Sequence, residues 1–372
     1  MSAPSEILTG VSLPLTGRFQ LQGQEALNGL RLWVDHISPS VPVRLMVHDD
    51  RSRVELAKEN VLRLLTRERV DLLLGPYSSG LTLAVVPIAE AHKKILWNHG
   101  GASDAIYEQG WRHLVSVVSP ASDYLRALPL LVRQRDPEIS RISIIHARAG
   151  SFAAHVACGA AEAAKAAGFD QIHLSPFASP IDDPAPVLQG ASVGDPELLV
   201  AVGSFQDDVA IIRHRERVPR VKALAAVAAG LGAIYREAGR LTEEVIGPSQ
   251  WEPGVTCDNI VGPDSAWFLS EYQARFHQAP GYPAAQAFAA GLILSECLRR
   301  AGSLEDEMLL AAAYGLELTT FFGGFRLDPG TGRQIGHQSL LVQWRDSKKV
   351  VIGPEGFAES GLSYPLSPLK AA

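Results

Sequence analysis

Val70-Asp71-Leu72-Leu73-Leu74-Gly75-Pro76-Tyr77-Ser78-Ser79-Gly80 is the stretch from which the rest of the chain can be read. Its first half is a short apolar run of the kind that forms a buried strand, and its second half is a turn rich in Gly, Pro and Ser. Leu81, Ala84, Ile88 and Ala91 then recur at helical spacing. A strand handed directly to a helix is the building unit of a parallel sheet covered by helices. The first N–H groups of such a helix have no partner within it, and the helix dipole adds partial positive charge. The turn is therefore suited to an anion, and Ser79 supplies a hydroxyl that either caps the helix or shares it with a bound carboxylate.

The same arrangement follows at once. Ile95–Trp97 is a strand, and Asn98-His99-Gly100-Gly101-Ala102-Ser103 is the turn after it. Its glycines let backbone approach a ligand closely, and Ser103 adds a second hydroxyl. Ser79 and Ser103 as plain N-caps is the structural alternative for each turn alone. Two such turns on neighbouring strands should emerge at one carboxyl edge, where open α/β sheets bind ligands.

Working outward, the alternation extends in both directions. Ile7–Leu13 reads as a strand, Gln24–His36 as a helix, and Val43–Val47 as a strand ending in His48-Asp49-Asp50. Val54, Ala57, Val61 and Leu65 form a helical stripe. The pattern restarts with the strand Ile142–Ile145 and the stripe Phe152, Val156, Ala160 and Ala163. Leu198–Val202, the helix holding Val209–His214, and Leu224–Val227 continue it. Two sets of alternation imply an α/β chain of two doubly wound lobes. The strongest breaks fall near Ser119-Pro120, Gly247-Pro248 and Asp328-Pro329-Gly330, while Asp182-Asp183-Pro184-Ala185-Pro186 reads as a loop within the second lobe.

Composition narrows the function. The 372 residues suit about two domains, and 47% hydrophobic with 20% charged residues is ordinary for a globular protein. A net charge of −6 gives no electrostatic reason to bind nucleic acid. No apolar run approaches the roughly 18 residues of a membrane helix. Cys158, Cys257 and Cys297 are far apart, with neither a zinc-ligand spacing nor a disulfide framework, and read as small buried hydrophobes. No nucleophile elbow, H-E-x-x-H, Walker loop or G-x-G-x-x-G is present, so no catalytic residues, cofactor or metal are expected. The paired acids Asp49-Asp50, Asp182-Asp183, Asp207-Asp208 and Glu243-Glu244 stand at turns or helix starts, where carboxylates cap N–H groups.

With these residues assembled, the chain resembles the type I periplasmic binding proteins of ABC transporters, in the branched-chain amino acid and amide group. The likeness runs through Pro14-Leu15-Thr16-Gly17, Gly23 and Asn28-Gly29, the turn at 75–79 and the turn at 100–103. It continues through the stretches 280–288 and 320–326, Gly332-Arg333-Gln334 and Gln343-Trp344. The resemblance implies a Venus-flytrap, with residues 1–119 and 250–327 in one lobe, 120–249 and 328–372 in the other, and three crossovers. It implies a small polar solute held by Ser79 and Ser103, with Gly101 and Ala102 giving backbone contacts and Gly100 and Ser78 beside them. Gln22, Tyr77 and Asn98 are further candidates from the first lobe. Phe152 and Phe205 would cover the ligand from the second lobe, and Trp251 would line the wall or pack the hinge.

One departure stands out. Amino-acid binders of this family place an acid after a second-lobe strand to hold the ligand's ammonium, and here Ala229 matches that place. A cation buried without a partner is costly, so the resemblance leans toward a carboxylate, an amide or a urea-like molecule unless Asp207 or Asp208 substitutes. The expected partner is a membrane permease and the expected location periplasmic, with a leader outside this chain. A cytoplasmic amide sensor of the same fold, or an α/β enzyme, are the alternatives.

Overall fold

The computed structural model describes residues 6–37, 41–258 and 260–368. The chain opens with β1 (Ile7–Leu13), α1 (Gln20–Ile37), β2 (Val43–Asp49) and α2 (Val54–Arg63). Next come β3 (Leu72–Leu74), α3 (Ser79–Ala91), β4 (Leu96–Asn98) and β5 (Leu114–Ser116). After α4 (Leu128–Arg135) the alternation resumes with β6 (Arg141–Ala147), α5 (Ser151–Ala166), β7 (Gln171–Phe177), α6 (Pro184–Ala191) and β8 (Leu198–Val202). It continues with α7 (Phe205–Arg213), β9 (Ala223–Ala226), α8 (Ala233–Ala238) and β10 (Ile246–Ser249). Three helices follow, α9 (Ser265–Phe276), α10 (Tyr282–Ala301) and α11 (Asp306–Tyr314). Two antiparallel pairs close the chain, β11 (Glu317–Thr320) with β12 (Gly323–Arg326), and β13 (Leu340–Arg345) with β14 (Lys348–Gly353).

These elements form two compact units, Met1–Pro120 with Val255–Gln338, and Ala121–Gly254 with Ser339–Ala372. The first holds a parallel sheet ordered β2-β1-β3-β4-β5. All three leucines of β3 are buried, because helices cover both faces of a parallel sheet. Val61, Leu64, Leu73, Val85, Val86, Leu96 and Ile106 form the core on one face. On the other, α1 lies along α10, and the buried Trp33 donates its indole N–H to Ser295 Oγ at 2.9 Å.

The second unit holds a seven-stranded sheet ordered β14-β13-β10-β9-β8-β6-β7. Its strands β7, β6, β8, β9 and β10 run parallel, and β13 and β14 add an antiparallel edge. Each unit thus repeats one order, in which the second strand lies outside the first and the third turns the other way. Strand order reverses between β1 and β3 in one unit and between β6 and β8 in the other. Ligands of doubly wound sheets bind at such a switch point, beyond the carboxyl ends of the strands.

Several expectations are corrected. Gly247-Pro248 is no break: both lie in β10, where Gly247 and Pro248 register against Val342 and Leu341 of β13. The sequence-distant partner strand overrides the local turn signal. The stretch 182–186 is not all loop, since Asp183 accepts a hydrogen bond from Ala185 N at 2.9 Å and caps α6, with Pro184 at its first position. Asp328-Pro329-Gly330 is a tight turn, with Gly332 N donating to Asp328 O at 2.8 Å. Gln334 then reaches back to the carbonyls of Val117 and Gly324, so the chain leaves the first unit only after Gln338. Cys297 is buried, but Cys158 is exposed on α5. Among the described residues no helix is long and apolar enough to cross a membrane.

Candidate functional site

The two turns singled out in the sequence leave adjacent strands, since Leu73 and Leu74 of β3 register against Leu96 and Trp97 of β4. Ser78, not Ser79, caps α3: its backbone sits at φ +108° and its side chain accepts from Leu81 N at 3.4 Å. Ser79 is the first residue of the helix and is buried. Its Oγ accepts hydrogen bonds from Ala102 N at 3.1 Å and Ser103 N at 3.0 Å. Neither serine is therefore a simple cap. Ser79 joins the two turns, and Ser103 precedes a 3₁₀ turn over Asp104–Ile106 without a side-chain cap bond.

The glycines of the second turn serve this junction. A Cβ on Gly100 would fall 2.7 Å from Tyr77 Cα, and one on Gly101 would fall 2.5 Å from Thr82 Oγ1. They admit the neighbouring turn and helix, where the sequence suggested that they admit a ligand. Ser78 N donates to Gly100 O at 3.3 Å, closing the contact from the other side. Asn98 is fully buried and fully engaged: its amide donates to Gly101 O and Ser116 Oγ, and its oxygen accepts from Gly100 and Gly101 N. It shapes the turn and has no group left for a solute. Between Asn98 and Gly100, His99 is entirely buried, and that burial lowers its pKa to about 4, so its ring is neutral at pH 7.

What this junction offers is directional. A hydroxyl that accepts two N–H bonds still has its own hydrogen to donate, and Ser79 donates it to no described atom. Accepting two bonds polarises the group and makes that hydrogen a better donor. Tyr77 and Gly100 are half-buried beside it, while Gly101, Ala102 and Ser103 are buried. Gln22, half-buried in the first turn of α1, follows β1 across the switch point.

In the second unit Phe152 and Phe205 follow β6 and β8, one on each side of that unit's switch point. Both are half-buried, and Phe152 packs edge-on against Tyr124 with ring centroids 5.3 Å apart. Trp251 is buried, and its carbonyl accepts from Ser249 Oγ at 2.9 Å. Ala229, which matches the place of the ammonium-binding acid, has its methyl inside the unit. It is fully buried in a 3₁₀ turn after β9, its methyl lies toward Gly247, and its carbonyl accepts the Trp344 indole N–H at 2.8 Å. Asp207 belongs to a capping box with Ser204, and Asp208 accepts from Gly203 N at 2.9 Å and Ala228 N at 2.8 Å. Lys349 donates to Gly230 O at 3.0 Å and pairs with Glu252. Sequence reasoning passed over Lys349 as a framework residue, because its partners Gly230 and Glu252 lie 119 and 97 positions away.

Two doubly wound sheets, each with polar turns at its switch point, define a ligand-binding α/β protein. The chain belongs to the periplasmic binding protein family, whose model matches residues 6–349, and this is a family of solute-binding proteins. It is 22% identical over 383 residues to Leu/Ile/Val-binding protein homolog 8 of Brucella abortus (strain 2308), covering 98% of this chain and 94% of the relative. Among solved structures it is similar to the leucine-binding protein LivK of Thermotoga maritima, with a TM-score of 0.82 and 18% identity, over 93% of this chain and 97% of that one. A solute-binding protein from R. palustris in complex with benzoate matches with a TM-score of 0.77 and 17% identity, over 94% of this chain and 96% of that one.

Proposed function

We propose that this chain is the solute-binding component of an ABC importer, taking up a small carboxylate-, amide- or amino-acid-like solute outside the cytoplasmic membrane and passing it to a membrane permease. The observation that carries the reading is the Ser79 hydroxyl, which ties two strand-end turns together and keeps its own hydrogen for an acceptor. A carboxylate oxygen is a strong acceptor for such a group. Ser103 and the 101–102 backbone flank it, and Gln22 and Tyr77 stand on neighbouring elements. In the second unit the half-buried Phe152 and Phe205 stand at the corresponding strand ends, after β6 and β8. The names and ligands of the relatives, from Leu/Ile/Val-binding homologues to a benzoate complex, agree with a small carboxylate.

The test is a melting-temperature screen of the purified chain against amino acids, amides and small organic acids. A true ligand at a hundred times its dissociation constant adds about 2.7 kcal/mol of stability. A panel in which no member raises the melting temperature would refute the reading.

A further inference from the structure

Within the first unit, the last turns of α1 and the body of α9 enclose a cavity of about 330 Å³. Because α1 runs back from the carboxyl edge of the sheet between β1 and β2, its last turn lies at the end of the unit opposite the strand-end turns. The helical period brings the lining together. Leu32, Asp35 and His36 share one face of α1, and Trp267, Glu271, Ala274 and Arg275 share one face of α9. The Trp267 indole forms one wall, held by the His36 ring edge-on at 5.0 Å and by Phe288 with centroids 5.9 Å apart. Ala274 is the small residue of its stripe, so space remains between the helices that a larger side chain would fill. Charge is uneven over this lining. Arg275 pairs with Asp35 and lies over the Phe276 ring at 5.6 Å. Partial burial lowers the pKa of His36, so its ring is neutral at pH 7. Glu271 is exposed and has no partner among the described residues. Two carboxylates thus stand against one guanidinium, and the charge left over is negative and lies beside an indole.

We infer that this cavity binds a small organic cation with an apolar body, its ammonium or guanidinium group held between the Glu271 carboxylate and the Trp267 ring. The volume falls at the lower end of the range of small-molecule sites, about 300–1,000 Å³. A cation gains from the negative face of the indole and from the unpaired carboxylate. Its apolar body covers Leu32 and Ala274, which removes their surface from water. A neutral molecule of the same shape keeps only that last gain, and an anion meets the like charge of Glu271. The site lies wholly in the first unit and away from Ser79, so its occupancy is independent of the solute-binding reading.

The experiment is a titration of the isotope-labelled full chain with benzylamine, followed by magnetic resonance at the Trp267 indole N–H, which its loss in Trp267→Phe identifies. Benzylamine is expected to move that resonance saturably, and the neutral isostere benzyl alcohol to bind at least about threefold more weakly. Glu271→Gln changes an exposed side chain without partners, so it is expected to fold normally and to weaken benzylamine about two- to fivefold, less so at high salt. Ala274→Leu, on the exposed side of α9, is expected to fill the cavity and remove the response while keeping the charges. A resonance that benzylamine does not move, or that moves unchanged in Ala274→Leu, would overturn the inference. Equal affinity for benzyl alcohol, or an unaltered affinity in Glu271→Gln, would overturn it as well. Each of these results would leave the solute-binding reading standing, since the melting-temperature screen tests that reading separately.

Discussion

Removing the Ser79 hydroxyl is expected to weaken the protein before any ligand is added. In Ser79→Ala the N–H groups of Ala102 and Ser103 lose their acceptor, 3.1 and 3.0 Å away. Both residues are buried, so water cannot readily take its place. An unsatisfied buried donor costs about 1–3 kcal/mol, which makes the pair worth about 2–4 kcal/mol once some relaxation is allowed. In a unit of about 200 residues that corresponds to a fall in melting temperature of about 5–10 °C. The neighbouring Ser78→Ala is the internal control. It loses one long cap bond, 3.4 Å to Leu81 N, and should cost only about 1 kcal/mol. Urea unfolding of both variants without ligand, followed by circular dichroism, measures the difference. Equal stability of Ser79→Ala and wild type would show that the hydroxyl does not join the turns, and the geometry proposed for the site would fall with it.

Two further outcomes follow from the framework. His99 titrates at about 4 in the fold and near 6.5 when unfolded, so between those values the unfolded chain holds the extra proton. Its contribution is therefore present above about pH 6.5 and lost as pH falls toward 4, by up to about 3 kcal/mol. His99→Gln should flatten that part of the stability profile, and an unchanged slope between pH 4.5 and 7 would exclude it. Lys349→Met leaves Glu252 buried without its partner and Gly230 O without its donor, an expected loss of about 3–5 kcal/mol in urea unfolding. Adding Glu252→Gln should recover part of the loss; strict additivity of the two changes would show that they do not interact.

Much of this architecture is legible in the sequence because its signals are local. The apolar runs at 7–13, 142–145 and 198–202 are strands since each is long enough to be buried on both faces. The Gly- and Ser-rich turns after β3 and β4 are equally plain. What escapes is whatever a distant partner decides. Pro248 looks like a breaker, yet β13 takes it into a sheet from some ninety residues away. Ser78 and Ser79 are chemically identical neighbours, and only the positive φ at Ser78 determines which of them caps α3 and which turns inward. That Asp208 and Asp50 cap backbone N–H groups is legible from their place at turns, but their full burial beside Ala228 N and the Ser12 hydroxyl, 20 and 38 positions away, is not. The direction of the Ala229 methyl is equally hidden: it points into the unit because Gly247 leaves room for it there.

The most direct measurement is a crystal structure of the chain with the tightest-binding carboxylate found in the melting-temperature screen. A carboxylate oxygen is expected at hydrogen-bond distance from Ser79 Oγ, about 2.5–2.7 Å, beside Ser103. An acid bound with its carboxylate directed away from both serines, and Ser79 donating to a protein carbonyl or to water, would contradict the assignment.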